Sequence, residues 1–406
     1  MRTVWRFGGK KVDTIRLYSS LGGSDGILKT RAVIDRAAIM DNYRRLLSYV
    51  QKVSPDAEGI AVVKADAYAH SNEICAPALA EAGCRLFAVS SVTEAVALRN
   101  ILTKAGFPDA GITVLGYTPP AYEDLLYLYK ITQCVYSYEY AKSLSRVLDG
   151  EIDIDIKLDT GMNRLGINAR DKHSVKTAAD EIMKISKLKN LRIHGMFSHF
   201  PVSDEESDVS DEFTRRQYEL FTSVDDELKS RGLNIGFKHI CNSAGALRFP
   251  EYALDGVRFG LSLYGYGEGA EKLGLKPVMQ LETAVSFVHN IKRGEGVGYG
   301  LEFTAERDMS LITIPIGYAD GFIRAYKGAD VLIVTDKGEF KAKIVGRICM
   351  DQCMADVTGF DVAPGDRVIV FGKDKNMLCD LAKRAETIDY EALCLVSARV
   401  PRIPIN

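Results

Sequence analysis

Short apolar runs alternate with longer amphipathic segments from about residue 30 to about residue 265. The runs are rich in β-branched residues, as buried strands are, whereas the first long segment, SNEICAPALAEAGC (71–84), is apolar at helical spacing. The runs are Ile60–Val63, Leu86–Val89, Ile112–Leu115, Cys134–Tyr136, Ile152–Leu158, Ile193–Ser198, Phe237–Cys241 and Gly256–Phe259. Eight strands that alternate with helices predict a (β/α)8 barrel, the TIM-barrel fold. An open doubly wound sheet is the alternative, although no GxGxxG segment follows the first run.

The pattern changes after Gly265. Runs such as LITIPI (311–316) and DRVIVF (366–371) lack a helical period, and turn signals stand between such runs at 293–296, 336–338 and 364–366. This pattern predicts a C-terminal, mostly-β domain with one helix near Met377–Glu386. We therefore expect an N-terminal extension (1–29), an α/β barrel (30–269) and a β domain (270–406).

The charge balance narrows the class of ligand. Lys and Arg number 52 against 54 Asp and Glu, which leaves a formal net charge of −2. This balance does not favour nucleic acid or an anionic membrane surface, so a small-molecule ligand is expected. No apolar run approaches the roughly 20 residues that span a bilayer. The first 29 residues lack an apolar signal core, which predicts a cytoplasmic protein, with an organelle transit peptide as the alternative.

The eight cysteines do not form a recognisable metal or disulfide pattern. Cys349 and Cys353 are the one close pair, and their spacing is not that of a CxxC zinc motif. Most of the others lie in apolar runs, which indicates reduced core thiols. No metal is expected.

Polar residues gather at the predicted strand ends, where a barrel carries its active site. They are Lys64, Asp66 and Tyr68 after the first strand, Lys157 and Arg164 at the fifth, His199 at the sixth, Asn242 and Ser243 at the seventh, and Arg258 and Gly260 at the eighth. Cations, hydroxyls and a glycine that converge suit a phosphate and a carboxylate. A lysine at a strand end is often only a snorkelling side chain. In a site, it can form a Schiff base with pyridoxal phosphate (PLP).

Ten ordered blocks resemble the alanine racemase family, a family of PLP-dependent enzymes. The first, AVVKADAYAHS (61–71), is similar to the PLP-lysine motif of that family. The others are IKLDTGMNRLG (156–166), GMFSHF (195–200), CNSAG (241–245), GVRFGLSLYG (256–265), LKPVM (275–279), VGYGLEFTAERD (297–308), IPIGYADGF (314–322), VGRICMDQ (345–352) and SARVPRI (397–403). The resemblance covers residues 30–403 and implies the same two-domain fold.

The resemblance implies a role for each matching residue. Lys64 would bind PLP covalently, Tyr68, Ser243 and the Gly260 amide would bind the phosphate of PLP, and Arg258 would face the pyridine nitrogen with support from His199 and Asn242. Arg164 would contact the phenolic oxygen of the cofactor and the substrate carboxylate. Lys157 would carry a carbamate that holds Arg164; an unmodified lysine is the alternative. An arginine at the pyridine nitrogen keeps that nitrogen unprotonated, because it does not readily give up its proton.

Racemisation needs acid/base groups on both faces of Cα. The resemblance implies Lys64 for one face and Tyr299 of the β domain for the other. Met350 and Asp351 would position the substrate carboxylate, and Tyr318 and Tyr264 would narrow the entrance. In this family the β domain reaches the active site of the partner subunit, which implies a homodimer with two shared sites.

The match weakens at three places. Ala69 and Ser71 stand where the family usually has glycines, and residues 1–29 have no recognised counterpart. Ala398 stands where the family usually has a tyrosine beside the substrate pocket, and relatives that act on serine or on several amino acids carry smaller residues there.

We therefore predict an alanine racemase that supplies D-alanine for cell-wall synthesis. A serine or broad-specificity amino-acid racemase is the alternative. A decarboxylase on the same kind of fold needs a cysteine from the partner and a different phosphate-loop glycine pattern, which are not recognised here. A non-catalytic PLP carrier would lack residues 270–406.

Overall fold

The computed structural model describes residues 5–7, 10–12, 30–267 and 269–406. It contains two compact units: the described residues between 35 and 278 with 405–406, and the described residues up to 34 with 279–404. We call them the barrel unit and the β unit. Most of the predicted N-terminal extension lies outside the described residues, and within it Trp5–Phe7 pairs antiparallel with Lys10–Val12.

The barrel unit is built on a closed sheet of eight parallel strands, which confirms the predicted TIM barrel. In sheet order the strands are Glu58–Val62, Leu86–Val89, Gly111–Val114, Thr132–Val135, Ile152–Asp159, Leu191–Phe197, Phe237–His239 and Gly256–Phe259, and the last pairs with the first. Each overlaps one of the predicted apolar runs. A ninth short strand, Ile167–Asn168, pairs beside Ile152–Asp159. The strands are covered on both faces, so the consecutive residues Ile154, Asp155, Ile156 and Lys157, whose side chains alternate between the faces, are all buried.

One helix of the barrel unit precedes the first barrel strand, the others follow barrel strands, and each buries one face. They are Arg36–Gln51, Asn72–Glu81, Val92–Lys104, Glu123–Leu128, Tyr138–Val147, Lys172–Ile185, Asp208–Ser230 and Ser243–Arg248. Lys172–Ile185 begins at Asp171, whose side chain accepts the Ser174 N–H over 2.8 Å while the Ser174 hydroxyl accepts the Asp171 N–H over 3.0 Å. This reciprocal cap satisfies two N–H groups that a helix start leaves without an intrahelical partner.

The β unit is built on a nine-stranded sheet. In sheet order the strands are Phe287–Ile291, Met309–Ile314, Cys353–Asp356, Gly338–Val345, Asp330–Thr335, Arg367–Phe371, Met279–Ala284, Arg31–Asp35 and Arg402–Ile405. A separate hairpin pairs Gly296–Val297 with Phe303–Thr304. The mostly-β character predicted for the C-terminal domain is confirmed.

Two features of the β unit were not predicted. Arg31–Asp35, upstream of the barrel strands, pairs antiparallel with Met279–Ala284. The predicted helix near Met377–Glu386 is present as Lys375–Arg384, but a second helix, Asp389–Cys394, follows it.

All eight cysteines have free thiols, and five of them are buried. Across the residues that the structure describes, no helix combines the length and the apolar character that a membrane crossing needs.

Candidate active site

Lys64 follows the first barrel strand and opens a left-handed turn. Residues 65–69 all have φ between 51° and 64°, and none of them is a glycine. The left-handed region costs roughly 1–2 kcal/mol per L-residue, so other contacts must stabilise the turn. Two of these contacts are carboxylates: Glu94 accepts the Ala65 N–H over 2.7 Å and Asp66 accepts the Asn72 N–H over 2.6 Å. Backbone strain of this kind, held by such contacts, is typical of functional sites.

Tyr68, Ser243 and Gly260 come together at the carboxyl ends of the first, seventh and eighth strands. The Gly260 N–H donates to the Ser243 hydroxyl over 2.8 Å. A Cβ atom on Gly260 would lie 2.9 Å from the Tyr68 hydroxyl, so the backbone must be bare there. The Tyr68 ring is buried, with its centroid 4.8 Å from that of Tyr264. The hydroxyls of Tyr68 and Ser243 thus lie close to the backbone amide of Gly260. This set of donors suits a phosphate.

Tyr264, which the resemblance implies at the entrance, is instead fully buried. Its hydroxyl donates to the Val62 carbonyl over 3.1 Å, and its ring lies 4.5 Å from that of His70. It therefore supports the Tyr68 ring.

Arg258 is buried and held by several acceptors. One guanidinium nitrogen, Nη1, lies 2.6 Å from Nδ1 of His239. The other, Nη2, donates to the carbonyls of Ser198 and Ile240 over 2.7 and 2.9 Å and lies 3.1 Å from Nδ1 of His199. These contacts fix the plane and the direction of the guanidinium.

The two histidines are neutral, which lets them accept from Arg258. Burial, followed by the charge of Arg258, lowers the pKa of His199 and of His239 well below the usual value. Burial also lowers the pKa of Arg258, to about 10, which leaves the guanidinium charged at neutral pH. A charged Arg258 that donates to neutral imidazoles is therefore the stable protonation pattern.

Lys157 lies inside the barrel with its Nζ 2.7 Å from the Leu158 carbonyl and 5.3 Å from the centre of the Phe197 ring. Burial, followed by the charge of Arg258, lowers the pKa of Lys157 to about 7. A lysine with such a pKa is largely neutral at slightly alkaline pH and is then a nucleophile.

Arg164 and Asn242 differ from the other predicted site residues of the barrel in their exposure and in their contacts. Arg164 is exposed, yet its charge contributes to the lowered pKa of Lys157, His199 and Arg258. Asn242 caps the helix Ser243–Arg248: its Oδ1 accepts the Gly245 N–H over 2.8 Å and the Ser203 hydroxyl over 2.9 Å, while its Nδ2 donates to the Phe200 carbonyl over 3.0 Å. These contacts hold the start of the helix that begins with Ser243, and they do not involve Arg258.

In the β unit, Tyr299 stands on the turn of the hairpin that begins with Gly296–Val297. Tyr299 is 71% exposed. The glycines on either side, Gly298 and Gly300, have φ of 73° and 74°, and a Cβ on Gly300 would lie 2.9 Å from Nη1 of Arg347. Arg347 in turn donates from Nε to Glu302 over 2.6 Å. The turn is therefore tightly packed beneath an exposed phenol.

Tyr318, Met350 and Asp351 lie on two turns of the β unit that contact each other. The Tyr318 N–H donates to the Cys349 carbonyl over 3.1 Å, and the Ala319 N–H donates to the Met350 carbonyl over 3.0 Å. Tyr318 and Met350 are large and exposed. An exposed apolar surface beside a carboxylate suits contact with another molecule.

Sequence reasoning missed His239 and Arg399. His239 lies within a predicted strand, two residues before its end, and an alternation of side chains along FKHIC was the signal that could have placed it inside the barrel. Arg399 donates to Asp351 and to Asp320, and nothing local in SARVPRI marks those partners.

Both units match known family models. Residues 34–268 match the model described as "Alanine racemase, N-terminal domain", and residues 278–404 match "Alanine racemase, C-terminal domain". The alanine racemase of Clostridium tetani is 41% identical over 373 residues, which cover 89% of this chain and 92% of that protein.

Solved structures of relatives match most of the chain. The alanine racemase of Clostridium difficile 630 matches with a TM-score of 0.82 and 34% identity over 93% of this chain and 96% of that chain. A histidine racemase from Leuconostoc mesenteroides matches with a TM-score of 0.79 and 27% identity over 95% of this chain and 99% of that chain.

Proposed function

The chain belongs to the alanine racemase family, and we propose that it interconverts L- and D-alanine with Lys64 and Tyr299 as acid/base groups on opposite faces of Cα. The observation that carries this proposal is the assembly at the barrel strand ends. Lys64 opens a strained turn after the first strand, and the buried Arg258 lies on the eighth strand, which pairs with the first and is followed by Gly260. The D-alanine formed would supply cell-wall synthesis.

The residues present fit PLP as the cofactor. Two hydroxyls and the Gly260 amide suit its phosphate, and a Cβ on Gly260 would fill that cradle. Arg258 is charged and held by neutral His239 and His199, so it suits a neutral pyridine nitrogen as a donor. When bound, PLP acidifies the Cα–H bond of an amino acid that is joined to it.

Arg258 sets how far that acidification goes. Its protonated guanidinium would donate to the pyridine nitrogen without readily transferring the proton, because its pKa stays near 10 even when buried. The nitrogen would therefore remain uncharged, and Arg258 would give less stabilisation to negative charge at Cα. This limits side reactions and favours prompt reprotonation at Cα.

Lys64 and Tyr299 move the proton. As a free amine, Lys64 Nζ would take the proton from one face of Cα, and the Tyr299 hydroxyl would deliver a proton to the other face; the reverse reaction would exchange these roles. Arg164, with Met350 and Asp351, would bind the substrate carboxylate, and Tyr318 would border the entrance. Lys157, which its burial leaves partly neutral at pH 7, would add CO2 and release a proton to form a carbamate, whose negative charge would hold Arg164.

We propose a homodimer in which the β unit of each subunit completes the site of its partner. The exposure of Tyr299, Tyr318 and Met350 supports this arrangement, because large side chains that act on a substrate must meet a second surface. A closed two-fold assembly would then contain two identical sites.

The proposal is tested by trapping the cofactor and following the proton. Borohydride reduction should attach the mass of reduced PLP to the peptide that contains Lys64, and alanine should exchange its Cα–H for deuterium in D2O. Lys64→Ala should abolish both results. A retained covalent link in Lys64→Ala would exclude Lys64 as the attachment point. A protein that binds PLP but exchanges no Cα–H would instead be a carrier.

A serine or broad-specificity racemase is the second candidate. Ala398 is a small, exposed residue at the position where the family usually has a tyrosine. The histidine racemase of Leuconostoc mesenteroides, which has a similar structure, indicates that this fold also serves a larger amino acid. A panel of L- and D-amino acids separates the two candidates.

A further inference from the structure

Arg399 joins two turns of the β unit that are far apart in sequence. Its Nε donates to Oδ1 of Asp320 over 2.7 Å, and its Nη2 donates to Oδ1 of Asp351 over 2.7 Å. Asp320 ends the turn Tyr318–Asp320, and Asp351 precedes the strand Cys353–Asp356. A guanidinium is a rigid planar fork, so this bridge sets the spacing of the two carboxylates.

Asp320 is the fixed end of the bridge. It is buried, its Oδ2 accepts the Gly317 N–H over 3.0 Å, and its carbonyl accepts the Ser397 N–H over 3.1 Å. Asp351 is the exposed end, with 61% of its side chain open to solvent. An exposed aspartate by itself samples several rotamers, so the bond from Arg399 is what orients it.

The backbones of the two turns are also packed together. A Cβ on Gly317 would lie 2.4 Å from the carbonyl oxygens of both Cys349 and Met350, which leaves room only for a glycine. The turn that carries Met350 and Asp351 is thus held in two ways. The turn Tyr318–Asp320 packs against its backbone, and Arg399 binds its exposed carboxylate.

We infer that Arg399 is a positioning residue for the substrate carboxylate and acts through Asp351. The inference rests on the proposed function, in which Met350 and Asp351 contact that carboxylate. The negative charge of Asp351 would repel the carboxylate of an amino acid unless a cation compensates it. Arg399, whose charge the buried Asp320 shares, supplies part of that compensation, and its bond draws one oxygen of Asp351 toward Asp320 and so fixes the orientation of the Met350–Asp351 turn.

The inference predicts a defect in binding rather than in proton transfer. Arg399→Met should raise KM for alanine about 10-fold, the scale of one lost charge-assisted hydrogen bond, while kcat changes less than about 2-fold. Propionate, which has the carboxylate but not the amine, should lose affinity as a competitive inhibitor by the same factor. Arg399→Lys, which keeps the charge but not the fork, should fall between Arg399→Met and the unmutated enzyme.

A double-mutant cycle tests whether Arg399 acts through Asp351. In the Asp351→Asn background, Arg399→Met should change KM less than about 3-fold, because the charge to be compensated is gone. Arg367→Met is the matched control, since Arg367 pairs with the buried Glu282 on strands that carry no proposed site residue. It should lower the melting temperature without changing KM.

Other outcomes overturn the inference. An unchanged KM in Arg399→Met, a full effect that persists in the Asp351→Asn background, or an equal KM change in Arg367→Met would each show a purely structural role. If Arg399→Met does not fold, Arg399→Lys decides in the same assays. Absence of alanine racemisation in the unmutated enzyme would instead contradict the proposed function, and propionate affinity in the same variants would still test Arg399.

Discussion

Gly260 and Tyr68 are packed so closely that a Cβ atom on Gly260 would lie 2.9 Å from the Tyr68 hydroxyl. Tyr68 cannot retreat easily, because its ring is buried against that of Tyr264. We therefore expect Gly260→Ala to displace the Tyr68 hydroxyl from the phosphate cradle. The loss of one hydrogen bond to a charged phosphate should weaken PLP binding roughly 10- to 100-fold.

Gly236→Ala is the control for this prediction. Gly236 precedes the strand Phe237–His239, and a Cβ there would meet one backbone carbonyl, that of His194, at 3.1 Å. Equilibrium dialysis of PLP against both variants measures the difference. Equal PLP affinities in the two variants would contradict the assignment of the cradle.

Lys157 should bind CO2 only where it is neutral. Its pKa is lowered from the usual value to about 7. The fraction of neutral amine therefore increases as the pH rises through 7 and decreases as the pH falls. Protein equilibrated with ¹³C-labelled bicarbonate at about pH 8 should show a carbamate resonance in its ¹³C spectrum, and this signal should fade on acidification below about pH 6.

Two variants check the assignment of that signal. Lys157→Met should abolish it, and Lys238→Met should keep it, because Lys238 is a partly buried lysine that faces Asp225 and Asp255. A resonance that survives in Lys157→Met would place the carbamate elsewhere.

The same lowered pKa has a consequence for stability. The folded state leaves Lys157 neutral while the unfolded state protonates it between about pH 7 and the usual lysine pKa. Stability should therefore rise with pH in that window, by up to about 1.4 kcal/mol per pH unit for one proton. Urea unfolding of Lys157→Met should show a weaker rise; an unchanged slope would mean that Lys157 is protonated in the folded protein.

Features built from neighbouring residues were predictable from sequence, and those built from distant contacts were not. The barrel strands can be recognised in the sequence as local apolar runs, and Lys64 directly follows one of these runs. Arg31–Asp35 looks like the start of the barrel, yet it joins the sheet of the β unit through Met279–Ala284. The strand propensity of a segment carries no information about which distant strand it pairs with.

The missed site residues follow the same rule. His239 reaches Arg258, 19 residues away, and Arg399 reaches Asp320 and Asp351 at separations of 79 and 48 residues. The left-handed turn after Lys64 was also unpredictable, because alanines at 65, 67 and 69 disfavour that conformation and only the surrounding contacts impose it.

Tyr299→Phe should affect the two directions of racemisation unequally. If Tyr299 serves one face of Cα, the variant should lose proton abstraction from one enantiomer by roughly 100-fold or more, while Lys64 still exchanges the Cα–H of the other enantiomer. Deuterium incorporation from D2O into L- and D-alanine, followed separately, measures this. Tyr390→Phe, at an exposed tyrosine of the β unit, should change neither rate. Near-normal exchange of both enantiomers in Tyr299→Phe would exclude Tyr299 as a base.

Mixing two inactive variants should restore part of the activity if the site is shared. Lys64→Ala inactivates one component and Tyr299→Phe the other, so a heterodimer has one site with both defects and one intact site. Activity should appear as the subunits exchange and should approach one half per heterodimer. Absence of activity, with exchange verified by native mass spectrometry, would place both residues in the site of one subunit.

Ala398 should widen the range of accepted side chains. A tyrosine at position 398 would bury roughly 150–250 Å² of contact surface. The smaller alanine leaves room in the substrate pocket for the hydroxymethyl side chain of serine. An apolar pocket discriminates weakly against an added hydroxyl, so kcat/KM for serine should lie within roughly 100-fold of that for alanine, a gap of about 2.7 kcal/mol. Ala398→Tyr should widen this gap by slowing serine more than alanine. Ala363→Tyr adds the same ring to an exposed loop of the β unit and should leave the ratio unchanged. Robust alanine turnover with no detectable serine racemisation in the unmutated enzyme would mean that another group fills the space, and that the pocket admits only a methyl.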